Sequence, residues 1–126
     1  MITTIILVAV VGAVAMLLKN RYSNHIFYPE KEIEAKELIQ QGDKNAAADV
    51  FLSILEEEYA REVPRATVIT HYTDMVLPLL RTTGRIDDEM CVLRYSMSKC
   101  VMNTYKRSWN KWQKRLVVLD NLYPDR

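Results

Sequence analysis

The chain is poor in the residues that break or clamp a backbone. Its 126 residues include three glycines, four prolines, two cysteines and two histidines. So few Gly and Pro exclude an all-β chain with many tight turns and leave helices as the default. Two Cys and two His would all be consumed by a single four-ligand zinc site. The glycines stand alone at 12, 42 and 84, which excludes a glycine-rich phosphate loop. Charge of one sign is also missing: 17 Lys plus Arg against 16 Asp plus Glu leave +1, too little for disorder driven by net charge. The length fits one domain rather than two.

A long apolar run is present at the start. Residues 1–18, MITTIILVAVVGAVAMLL, carry no charged side chain. As a helix they would span about 27 Å, close to the hydrocarbon thickness of a bilayer. The run has no basic segment before it and no small-residue cleavage site after it, so it reads as a retained anchor rather than a signal peptide. The sequence therefore predicts a transmembrane anchor over 1–21, carried by Ile5, Ile6, Leu7, Val8, Val10, Val11, Leu17 and Leu18. Lys19 and Arg21 follow the run and none precedes it, which places the rest on the cytoplasmic or matrix side. A single-pass protein of a mitochondrial or bacterial inner membrane is the expected location. Residues 22–28 form a juxtamembrane linker, where His25, Phe27 and Tyr28 fit an interfacial position.

From residue 29 to 126 the pattern is helical throughout. Pro29 and Glu30 open a helix that stops at Gly42, with Ala35, Leu38 and Ile39 at helical spacing. Asp43 can cap a second helix bearing Ala47, Val50, Phe51, Ile54, Leu55 and Tyr59 on one face. A third contains Val68, Ile69, Tyr72, Met75, Val76, Leu79 and Leu80, with a kink expected at Pro78. After Gly84, Asp87 or Asp88 can cap a fourth, with Met90, Leu93, Met97 and Cys100 on its buried face. The pattern runs on through Tyr105, Trp109, Trp112, Leu116 and Leu119, as one long helix or one broken near Asn103 to Arg107. The fold class expected is all-α: the transmembrane helix, two helix–turn–helix units and a long basic C-terminal helix.

Gly42 and Gly84 lie 42 residues apart, each followed closely by aspartate and a new amphipathic run. The segment QQGDKNAAADVFLSIL resembles the turn and second helix of a tetratricopeptide repeat. Ala35, Gly42, Ala47 and Phe51 occupy the positions where that family favours small residues, glycine and an aromatic. LLRTTGRIDDEMCVLRYSM resembles the same turn, or that of a pentatricopeptide unit, more weakly. Lys44 stands where the family has an aromatic, and Glu89 where the second repeat needs a small residue. The resemblance implies a protein-binding helical module.

Charge is segregated along the chain. Glu30 to Glu62 hold ten acids and four bases, whereas Lys99 to Arg115 hold six bases and no acid. Tyr105, Trp109 and Trp112 interleave with Lys106, Arg107, Lys111, Lys114 and Arg115. That mixture suits docking on an acidic protein, with an anionic lipid surface second and nucleic acid a lesser option. The competing reading places the two tryptophans in the core stripe with Leu116 and Leu119. Cys91 and Cys100 sit about 13 Å apart along one helix and cannot bridge within it. His71 lies beside an apolar stripe, and Glu56-Glu57-Glu58 reads as a solvated run. No catalytic constellation and no cofactor site emerge. The expected function is a non-catalytic accessory or assembly subunit of a membrane protein complex, binding other subunits and the bilayer. The other layout considered is similar to the mitochondrial outer-membrane import receptor, which would bind amphipathic helices.

Overall fold

A computed structural model of the chain describes residues 27–100 and 105–126. Within them are five helices: α1 (Pro29–Gln40), α2 (Lys44–Tyr59), α3 (Ala66–Thr82), α4 (Ile86–Lys99) and α5 (Lys106–Leu122). Their main contacts run in chain order, α1 on α2, α2 on α3, α3 on α4 and α4 on α5. The result is a stack of antiparallel helices in which α1 and α5 are the outermost members.

The two short turns explain the antiparallel order. At the first, Gly42 takes φ +83°, and the N–H of Asp43 reaches back to the Leu38 carbonyl at 2.9 Å. At the second, Gly84 takes φ +70°, and the Arg85 N–H reaches the Leu80 carbonyl at the same distance. The remaining turn bonds, Gln41 to Glu37 and Gly42 to Ile39, also recur 42 positions later. Each turn is thus a glycine-terminated helix end whose orphan carbonyls are met by the reversing chain. Arg85 holds the two turns side by side through Asp49 at 2.8 Å and the Asn45 carbonyl at 3.2 Å.

The core is built from the apolar stripes. Phe51, Ile54, Val68, Ile69, Tyr72, Val76, Leu80 and Leu93 are fully buried, as are the small residues Ala35 on α1 and Ala47 and Ala48 on α2. Asp43 caps α2 through the Ala46 N–H at 3.1 Å, as expected. The fourth helix departs from expectation. Its N-cap is Arg85, and Asp87 and Asp88 fall inside the first turn, where their charge complements the helix dipole. The pattern running beyond it is interrupted, because α4 ends at Lys99, Cys100 is extended and α5 begins at Lys106. Helix α3 runs through Pro78, which is exposed to solvent.

The expected membrane architecture is corrected. No described helix is long and apolar enough to cross a bilayer. The longest, α3 and α5, have 17 residues each, and α5 carries five bases along its length. A span needs about 20 predominantly apolar residues. The all-α class stands among the described residues, which contain no strand, while the single-pass inner-membrane placement is not retained. The proposed anchor over 1–21, with Ile5, Ile6, Leu7, Val8, Val10, Val11, Leu17, Leu18, Lys19 and Arg21, lies outside the described residues.

Ala47 has no exposed surface, so a larger side chain there must displace the side chains packed against it. Ala47→Leu should destabilise the stack by about 1–3 kcal/mol, read as a lowered midpoint in urea with the m-value unchanged.

Candidate functional site

Three buried carboxylates organise the surface on which any site must be built. Glu58, at the end of α2, is fully buried and is the focus of the chain's entry into the stack. It accepts from the Arg65 backbone N–H at 2.8 Å, Arg65 Nε at 2.9 Å, a second guanidinium nitrogen at 3.0 Å and the Tyr28 hydroxyl at 2.8 Å. Phe27 lies under the same guanidinium, 5.2 Å from its centre. Desolvation raises the Glu58 pKa, but the hydrogen bonds from Arg65 and Tyr28 outweigh it and hold it at about 2. The glutamate run at 56–58 is therefore not uniformly solvated: Glu56 and Glu57 are exposed, and Glu58 is a structural anion.

Glu32 on α1 accepts from the Tyr72 hydroxyl at 3.2 Å, with Lys36 at 3.4 Å and His71 at 3.5 Å. His71 is thus half-buried beside a carboxylate rather than simply packed on the apolar stripe. Burial pushes the Tyr72 phenol up to about 12. Its oxygen also accepts the Phe27 and Tyr28 N–H groups at 3.3 and 3.1 Å, which joins the entering chain to α3.

Glu89 forms the third cluster. Its carboxylate takes a two-pronged contact from Arg115 at 2.9 and 3.1 Å, with Arg81 at 3.6 Å. The acid that stands where a small residue was expected therefore helps to fasten the last helix. The guanidinium–carboxylate bonds raise the Arg115 pKa further.

The basic and aromatic docking cluster divides into two groups. Trp112 is fully buried, and its indole N–H donates to Asp74 at 3.0 Å. Trp109 donates to the Met97 carbonyl at 3.2 Å, meeting one of the orphan acceptors at the end of α4. Tyr105 meets the Thr67 hydroxyl at 2.9 Å. These aromatics and Arg115 dock α5 onto its own chain, a correction to the external role expected for Trp112. Lys106, Arg107, Lys111 and Lys114 remain exposed and enter no ion pair among the described residues.

A second feature escaped the sequence reading. Helices α2 and α4 both pack on α3 and leave an open groove of about 520 Å³ between them. Leu52, Leu55, Tyr59, Val92 and Tyr95 supply its apolar wall, and Glu56 and Asp88 lie along it with Cys91. Tyr59 stacks on Tyr95 with centroids 5.5 Å apart. Behind that pair, the Tyr59 hydroxyl meets Ser96 at 2.7 Å, and Ser96 meets Thr73 at 2.7 Å. Burial pushes the Tyr59 phenol up to about 12, so it stays a neutral partner in this relay. The available signal was Cys91 with Tyr95, an i, i+4 pair off the core stripe.

Cys91 is exposed and Cys100 buried, and burial raises the Cys100 thiol pKa. Among the described residues no three His, Cys, Asp or Glu side chains converge in a way that could hold a metal ion. Compared with family models, curated proteins and solved structures, the chain has no match.

Two outcomes follow from this geometry. Glu58 ionises at lower pH folded than unfolded, so its contribution is present above about pH 4.5 and lost as pH falls toward about 2. Wild type should lose about 2–3 kcal/mol over that interval, and Glu58→Gln should start about that much less stable at neutral pH with a flatter acid limb. Urea titrations at stepped pH check both. Trp112→Ala should cost about 3–5 kcal/mol, whereas Trp109→Ala should cost clearly less, seen as unequal falls in Tm.

Proposed function

We propose that the chain is a non-catalytic docking module, an accessory or assembly subunit that holds a basic amphipathic helix of a partner protein along the α2–α4 groove. The observation that carries this reading is the groove itself: an apolar trough with an aromatic pair at one end and carboxylates along its side. Its wall belongs to two helices that start side by side, tied by Arg85, and end side by side, tied through Tyr59 and Ser96. A rigid trough loses little entropy on binding, which favours recognition of a helix by apolar anchors at i, i+3 and i+4. Glu56 is exposed, makes no ion pair among the described residues and can receive a Lys or Arg from the occupant.

The repeated turn supports the helical-repeat part of the reading. Its 42-residue spacing is longer than the about 34 residues of a tetratricopeptide unit. The hairpin turns, and not the period, are what supports that part of the reading.

Two labelled helical peptides with the same Leu-rich face, one with Lys and Arg on its polar face and one with Glu, test the assignment by fluorescence anisotropy. The basic peptide should bind saturably and the acidic one much more weakly. Tyr95→Ala, at a side chain 56% exposed, should weaken binding about tenfold without loss of helicity. Glu56→Gln should weaken it less and flatten its salt dependence. Equal binding of both peptides, or binding indifferent to Tyr95, would rule the groove out.

A further inference from the structure

The two ends of the stack carry opposite charge at matching helical spacing. On α1, Glu30, Ile33, Glu34 and Glu37 recur at i, i+3, i+4 and i+7, and all four are exposed. On α5, Arg107, Lys111, Lys114, Val118 and Leu122 recur at i, i+4, i+7, i+11 and i+15, and all five are exposed. Neither set of charges is used internally: the three glutamates and three bases make no ion pair among the described residues, although other charged side chains on both helices do. Lys31 is held by Glu57 and Lys36 by Glu32 on α1, while Arg115 is held by Glu89 and Asp120 by Arg94 on α5.

Each face also presents apolar surface among its charges, Ile33 at 45% exposure on one side, and Val118 at 46% and Leu122 at 63% on the other. From Lys106 to Leu119 the helix α5 contains no acid. Both helices are outermost, each packed mainly on a single sequence neighbour.

We infer that the chain associates with a second copy of itself head to tail, the acidic outer face of α1 in one copy seating on the basic outer face of α5 in the next. A contact between two different faces leaves one of each kind uncovered in every assembly, so growth continues unless the rotation closes a ring. This inference does not depend on the α2–α4 groove, which faces neither end helix. Coulomb attraction orients the two copies, and the apolar residues give the contact its dry centre.

Sedimentation velocity on the full chain over a range of concentrations tests it. Wild type should show mass rising with concentration at low salt and falling back toward the monomer at high salt. The triple variant Glu30→Gln, Glu34→Gln, Glu37→Gln should remain monomeric, and so should Arg107→Gln, Lys111→Gln, Lys114→Gln. An equimolar mixture of the two should form a one-to-one dimer and nothing larger, because one intact face of each kind remains. Val118→Asp alone should weaken association about tenfold or more, with helicity by circular dichroism unchanged. A wild type that stays monomeric overturns the inference, as does association that survives in both triple variants or a mixture that fails to pair.

Discussion

A carboxylate removed from water must collect donors, and this requirement holds the helices in order. Glu58, Glu32 and Glu89 are each nearly or fully buried, and each draws partners from more than one segment. Glu58 binds the chain entry and the α2–α3 connection, Glu32 joins α1 to α3, and Glu89 joins α4 to α5. A leucine at any of these places would add apolar contact but would accept a neighbour in several orientations. An ionised carboxylate accepts only the donors that reach it, and leaving those donors unmet is expensive.

The groove depends on the same arrangement. Helices α2 and α4 both pack on α3, and the apolar side chains they turn toward each other leave an open groove. Arg85 fixes one end of the pair and the Tyr59–Ser96–Thr73 hydroxyls fix the other. Polar anchoring at both ends permits an apolar trough between them to stay open. A wholly apolar attachment would have favoured collapse of the two helices against each other.

Much of the fold was legible in the residues. The glycines at 42 and 84, Pro29 and the 3.6-residue stripes located the turns and the first four helices, because these signals act within a few positions. The interruption between Lys99 and Lys106 was less legible, since no Gly or Pro marks it. The site was harder. Trp112 and Val118 both belong to an amphipathic basic helix in sequence, and only the direction in which α5 rolls onto α3 and α4 separates core from surface. Glu58 looked like its exposed neighbours at 56 and 57 because its partners, Tyr28 and Arg65, come from other parts of the chain. Glu89 was conspicuous as an acid in a position suited to a small residue. Arg115, 26 positions later, supplies the reason.

Chain-ordered packing has a kinetic consequence. Every extensive contact joins segments adjacent in sequence, so bringing them together closes only short loops. Each helix finds its principal surface on the one made just before it, and synthesis delivers them in that order. The N-terminal hairpin can therefore form while α5 is still within the ribosome. Glu89 gains its two-pronged partner late, because Arg115 emerges only after the first four described helices have been made. Until then Arg81, at 3.6 Å, is the basic side chain within reach of Glu89, and the arrival of α5 adds the closer guanidinium contact.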